Sequence, residues 1–219
     1  MPRLIAPSML SADFGNLDRD CRRVNRSAAG WFHLDVMDGR FVPNISFGFP
    51  VCQAIAKVAE KPMDAHLMIV EPWRWIERFA KLGVQYLSVH YEACNERNLK
   101  KCIKMIHSFG MGAGIAVNPE TPAEVLIPYL HKADYIVVMG VHPGYSGQKY
   151  IPETTEKVAV LAEMIASAES DCFIEVDGGV DTGNIAHLEE LGAGVFVAGS
   201  AAVSSGDPIR AIRALRDAR

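Results

Sequence analysis

No apolar run in this chain approaches the length of a membrane span, and no block of lysine and arginine stands out. The first absence argues against a transmembrane segment. The second, together with the lack of any aromatic–basic interleaving, argues against a nucleic-acid partner. The cysteines include no C-x-x-C pair: Cys21, Cys52, Cys94, Cys102 and Cys172 are scattered and odd in number. That pattern speaks against a disulfide framework and predicts reduced thiols in a cytoplasmic protein. The opening stretch MPRLIAPSML lacks the form of a secretory signal. The dinucleotide fingerprint G-x-G-x-x-G is missing after the first apolar run, and no Walker A loop occurs. What is present is 219 residues, 49% hydrophobic and 22% charged, with a net charge of −4 from 22 basic and 26 acidic side chains. This profile predicts one soluble globular domain spanning residues 1–219.

Short β-rich apolar runs begin near Leu4, Trp31, Pro62, Tyr86, Gly112, Tyr135, Cys172 and Gly194, at spacings between 22 and 37 residues. Each is followed by a segment of helical periodicity. EPWRWIERFAKLG places Trp73, Ile76, Phe79 and Ala80 on one stripe and closes on Gly83, while TGNIAHLEELGAG offers Thr182 as an N-cap and ends at Gly192. Strands alternating with helices mean repeated βαβ units and a parallel sheet. A doubly wound sheet and a closed barrel both fit that pattern. Eight units without a linker or composition break favour a compact (β/α)8 TIM barrel of the α/β class.

In such a barrel, chemistry sits where the strands end. The runs end in Ser8, in His33 and Asp35, in Asp64 and His66, in His90, in Asn118, near Met139, in Asp177, and in Gly199 and Ser200. His33 and Asp35 share a strand face, as do Asp64 and His66, because strand side chains alternate. A lone strand histidine is commonly just a hydrogen-bonded core residue, and a lone buried aspartate a turn anchor. Four such residues at one rim are a different matter. Burying two carboxylates without a cation costs several kcal/mol each, as an order of magnitude. His33, Asp35, His66 and Asp177 therefore read as a mixed nitrogen–oxygen site for one divalent metal; zinc is the first choice, and iron, manganese or cobalt suit the same donors. His107, His131 and His187 fall in helical segments and read as solvated, and Asp38 reads as a turn anchor.

A second constellation is poor in side chains and rich in backbone. HPGYSGQKY, DGGV and AGSA follow the last three strands, with Gly144, Gly147, Gly178, Gly179 and Gly199 allowing N–H groups to approach an anion. The loops after strands 7 and 8 are the usual phosphate site of this architecture.

The segments APSMLSADF, HLDVMDGRFVPNISFG, DAHLMI, VHYEA, NPETP, HPGYSGQ, EVDGGV and AGSA resemble, in order and spacing, the ribulose-phosphate 3-epimerase family. The resemblance implies a (β/α)8 barrel holding its metal at His33, Asp35, His66 and Asp177, with Asp35 and Asp177 as proton acceptor and donor. It implies substrate contacts at Ser8, His66, Gly144, Tyr145, Ser146, Gly147, Asp177, Gly178, Gly179, Gly199 and Ser200, and methionines near the metal at Met37, Met68 and Met139. It also implies a homo-oligomer acting on a small-molecule ketose phosphate, D-ribulose 5-phosphate foremost. One departure stands out: where the family's strand 6 loop typically reads P-G-F-G-G-Q, this chain has Tyr145 and Ser146 between Pro143-Gly144 and Gly147-Gln148. Ser146 replaces a glycine that lies over the bound phosphate, which keeps D-allulose 6-phosphate or another ketose phosphate in play as the substrate.

Other readings fit less well. A Schiff-base aldolase needs a lysine at a strand end, and Lys61 lies at a strand start. A phosphate-binding decarboxylase needs an Asp-x-Lys-x-x-Asp array, which is missing. A metal-dependent hydrolase shares the ligand types but has no use for the phosphate loops. A non-catalytic sugar-phosphate binder is the remaining alternative, although no ligand or acid is lost here.

Overall fold

The computed structural model describes residues 3–219. The eight runs form β1 (Leu4–Pro7), β2 (Phe32–Met37), β3 (Met63–Met68), β4 (Tyr86–His90), β5 (Gly112–Val117), β6 (Tyr135–Met139), β7 (Phe173–Asp177) and β8 (Ala193–Ala198). All neighbours pair in parallel, in the order β1-β8-β7-β6-β5-β4-β3-β2. A parallel bridge between Ser8 and His33 brings the two ends of this sheet together. The result is the expected TIM barrel, with strand starts within one residue of those read from the sequence.

The helices are α1 (Leu17–Arg26), α2 (Phe49–Ala56), α3 (Ile76–Leu82), α4 (Glu96–Ser108), α5 (Thr154–Ser167), α6 (Ile185–Glu190) and α7 (Pro208–Asp217). Gly83 ends α3 at φ 86° and Gly192 follows α6 at φ 109°, the left-handed conformation that helix ends favour. Two local expectations fail. The segment between β5 and β6 forms a 3-10 helix, Ala123–Tyr129, because Pro128 within it offers no N–H to an α-helical ladder. Thr182 does not cap α6; Asn184 occupies that position, its side-chain oxygen accepting from the Asp181 N–H at 3.0 Å.

Side-chain alternation sorts each strand into a lumen face and a helix-packed face. Leu34, Val36, Ala65 and Leu67 join the large core between sheet and helices. His33, Asp35, Asp64 and His66 face the other way. Contacts between strands that are not neighbours identify that face as the lumen: Asp177 on β7 lies 3.0 Å from His66 on β3, and Tyr135 on β6 donates to Asp64 on β3 at 2.8 Å. Gly114 on β5 makes the second contact feasible, since a Cβ there would meet the Tyr135 ring at 2.4 Å. Below, Trp31 stacks on Tyr86 (4.1 Å between ring centroids) and Tyr135 on Phe173 (5.3 Å), closing the strand-start end with aromatic rings.

Candidate active site

Strand pairing sets the first level of the site. His33 registers against Asp64 and Asp35 against His66, so β2 and β3 deliver two imidazoles and two carboxylates side by side. Asp177 comes from β7, across the lumen. His33 Nε2 lies 3.3 Å from Asp35 Oδ1 and 3.7 Å from Asp177 Oδ2, while His66 Nδ1 lies 3.5 Å and 3.0 Å from the same two oxygens. Each imidazole thus presents one nitrogen to both carboxylates. Ser8 Oγ donates to the other Asp35 oxygen at 2.5 Å and fixes its orientation.

The electrostatics of this cluster call for a cation. Both histidines are fully buried, and Asp35 and Asp177 are only 5% and 7% exposed. Burial alone would raise the Asp35 pKa, but His33 and His66 hold it far below the usual carboxylate range. Burial alone would lower His33, and the carboxylates of Asp35 and Asp64 instead raise it well above an ordinary imidazole. His66 is raised in the same sense by Asp177 and Asp35. Positive charge between these side chains is required; protons supply it on two separate rings, whereas a divalent cation supplies it at one point.

The donor set fits such an ion. One ligand atom from each of His33, Asp35, His66 and Asp177 lies within 4.8 Å of every other. His33 Nε2 is buried without a hydrogen-bond partner, although Asp35 is close by, so it is an orphaned donor or acceptor aimed at the centre. Two imidazole nitrogens and two carboxylate oxygens are common ligands for zinc and its divalent neighbours.

Above the cluster opens a cavity of about 540 Å³. Ser8, Asp35, Asp177 and the methionines Met37, Met68 and Met139 line its base, and Gly144, Tyr145, Ser146, Gly147, Gly178, Gly179, Gly199 and Ser200 line its wall. All the residues anticipated from the sequence as substrate contacts therefore converge here, except His66, which lies beneath the base. Gly179 has φ 69°, and a Cβ on it would strike the Tyr150 backbone nitrogen at 2.4 Å; the turn after β7 can be made only by glycine there. Among the other strand-end residues, Asn118 does not border the cavity. Asp38 is the turn anchor expected of it, accepting from the N–H groups of Arg40, Phe41 and Val70.

Sequence reasoning missed how the rim is tied together. The loop after β6 is roped to the loops after β1 and β2: Tyr145 Oη donates to Pro43 O at 2.7 Å, Asn44 Nδ2 donates to Gly144 O at 2.7 Å, and the Ser11 and Ser146 hydroxyls pair at 2.6 Å. It also missed the layer beneath the His33, Asp35, His66 and Asp177 cluster. Asp64 accepts from His33 Nδ1 at 2.7 Å and from Tyr135; Glu175 is fully buried, and burial together with the Asp64 charge pushes its pKa well up. Glu175 shares the face of Asp177 by strand alternation, a signal available from the sequence. His66 Nε2 contacts His90 Nε2 at 2.8 Å, and burial, with His66 adding to it, pushes the His90 pKa down to about 4.

The model of the ribulose-phosphate 3 epimerase family matches residues 4–203. The ribulose-phosphate 3-epimerase of Synechocystis sp. is 41% identical over 216 residues, covering 99% of this chain and 94% of that protein. The corresponding enzyme of Bacillus subtilis is also 41% identical, over 98% of this chain and 99% of its own. The ribulose-5-phosphate-3-epimerase of Arabidopsis thaliana chloroplasts is 39% identical over 97% of this chain and 76% of that protein. Among solved structures, a 3-hexulose-6-phosphate synthase superposes with a TM-score of 0.69 over 100% of this chain and 99% of that one, at 17% identity, which speaks to the fold alone. With matches of this length and identity over the same residues that build the site, the chain belongs to the ribulose-phosphate 3-epimerase family and is an epimerase.

Proposed function

We propose that the chain inverts C3 of a phosphorylated ketose, interconverting D-ribulose 5-phosphate and D-xylulose 5-phosphate with one divalent metal ion per subunit. The observation that carries this reading is the placement of Asp35 and Asp177, which come from β2 and β7 and face the same two imidazoles under a glycine-walled cavity. His33, Asp35, His66 and Asp177 would hold the metal, with zinc preferred and iron(II), manganese or cobalt able to replace it. When bound, it supplies Lewis-acid stabilisation of the negative charge that develops on the ketose oxygens.

Asp35 takes the C3 proton as the C3–H bond breaks, leaving a planar enediolate. Asp177, in its acid form, returns a proton to C3 from the opposite face, so that atoms balance and only configuration changes. One base alone would exchange the proton without inverting the centre. Ser8 keeps Asp35 oriented, and Met37, Met68 and Met139 cover the reacting carbon with apolar surface that excludes water. The glycine loops around Gly144, Ser146, Gly147, Gly178, Gly179, Gly199 and Ser200 grip the phosphate through backbone amides, and this remote binding positions C3 between the two acids.

Ser146 is where a six-carbon substrate reading has its footing. Its hydroxyl pairs with Ser11 beside Gly199, in a position where the family typically has glycine. We read this hydroxyl as an added phosphate contact, not as a selector of carbon number. Turnover of D-ribulose 5-phosphate and D-allulose 6-phosphate by the same preparation tests this. The expected kcat/KM favours the five-carbon sugar by about 10²-fold, the scale on which pocket size discriminates. Ser146→Gly should raise KM for both sugars several-fold and leave the preference intact; a native preference for the six-carbon sugar would reassign the substrate.

The same reading includes a homo-oligomer of single-domain subunits, 1–219, in the cytoplasm. All five cysteines are free thiols, as suits a reducing compartment, and among the described residues no helix is long and apolar enough to cross a membrane.

A further inference from the structure

The two histidines turn different nitrogens toward the metal centre: His33 offers Nε2 and His66 offers Nδ1. A nitrogen that ligates a metal must carry a lone pair, so each ring needs its proton on the other nitrogen. For His33 the outer nitrogen meets the Asp64 carboxylate, an acceptor, and the matter is settled locally. For His66 the outer nitrogen meets another imidazole nitrogen, and two such atoms 2.8 Å apart hold one proton between them. Which ring carries it is decided one residue further out.

His90 Nδ1 lies 3.1 Å from Glu92 Oε2. The other oxygen of Glu92 is occupied by two donors, the Asn118 N–H at 2.7 Å and the Thr121 hydroxyl. A carboxylate accepts, so His90 donates from Nδ1 and keeps a lone pair on Nε2. His66 must then donate from Nε2, which leaves Nδ1 bare and facing Asp35 and Asp177. The Phe41 ring packs on His90 at 4.7 Å between centroids, and His90 is fully buried. Glu92 itself does not border the substrate cavity.

We propose that Glu92 is a positioning residue which, through His90, fixes His66 in the tautomer that binds metal. The inference rests on the reading of His33, Asp35, His66 and Asp177 as a metal centre and adds to it two residues that touch neither metal nor substrate. Sequence order hides the relation, since Glu92 lies in the loop after β4 and its anchors Asn118 and Thr121 follow β5.

Glu92→Gln is a sharp test because it changes donor pattern and hardly changes shape. The two donors fixed at Oε1 hold the amide oxygen in that place, so the NH2 group faces His90 Nδ1. His90 is forced to protonate on Nε2 and His66 on Nδ1, the nitrogen meant for the metal. Zinc affinity, measured by competition with a chromophoric chelator, should fall 10–100-fold, the usual cost of losing such an outer partner. The thermal midpoint of the chelated protein should stay within a few degrees of the native chain, which a merely structural role would not allow. Long-range 1H–15N spectra of native, histidine-labelled protein should place the His90 proton on Nδ1. A Glu92→Gln affinity within threefold of native, or a native His90 protonated on Nε2, overturns the inference. Failure of the native chain to take up zinc or another divalent ion would instead remove the metal centre itself, while the His90 tautomer, and with it the role of Glu92, remains readable in the same spectra.

Discussion

Asp35→Asn and Asp177→Asn each lower kcat for the interconversion of ribulose and xylulose 5-phosphates by at least about 10³-fold, within the range that a positioned acid or base contributes. The amide keeps the size and polarity of the carboxyl group but cannot accept or deliver the C3 proton. At position 35 it also meets the Ser8 hydroxyl, so the substitution is tolerated sterically while its chemistry is lost. The two variants should differ in an informative way. With the metal content of each preparation assayed alongside, Asp177→Asn should still exchange the C3 proton of the epimer that Asp35 serves, without inverting it, and Asp35→Asn should do the same for the opposite epimer. Near-normal turnover in either variant contradicts the two-carboxylate mechanism.

Exhaustive chelation should abolish epimerisation, and zinc, iron(II), manganese or cobalt should restore it. Lewis-acid stabilisation worth about 4 kcal/mol corresponds to about 10³-fold in rate. The chelated protein should remain folded. Burial lowers the His33 and His66 pKa values but the neighbouring carboxylates outweigh it and raise them, which favours imidazolium charge beside Asp35 and Asp177 when the ion is withdrawn. Loss of activity with retained far-UV circular dichroism is therefore the expected pair of observations. Full activity after chelation, with metal content verified as negligible, would remove the metal from the mechanism.

Much of this was legible in the chain before any coordinates. Strand starts could be read because β-rich apolar runs recur at βα spacing, and each lies next to a helix of clear periodicity. Parity along β2 and β3 put His33, Asp35, Asp64 and His66 on one face, and barrel architecture put that face at the mouth. The failures have local causes. Pro128 denied the β5–β6 connection an α-helix, and the choice between Thr182 and Asn184 at the start of α6 depended on a turn that spacing does not specify. What could not be read was contact across the lumen or between loops. Tyr135 reaching Asp64, Glu92 reaching Thr121, and Tyr145 roped to Pro43 join residues 71, 29 and 102 positions apart. Those contacts depend on barrel diameter and loop path, which no periodicity encodes. They also explain why Asp64 and His90 were visible as strand-end polar residues while their contacts to His33 and His66 were not.

The most direct test of the account is incubation of the chain with D-ribulose 5-phosphate in deuterated water, followed by NMR of the sugar phosphates. Proton abstraction by one carboxylate and delivery by the other carboxyl group predicts D-xylulose 5-phosphate carrying deuterium at C3. Xylulose 5-phosphate that retains protium at C3, or ribulose 5-phosphate recovered with neither inversion nor exchange, would contradict it.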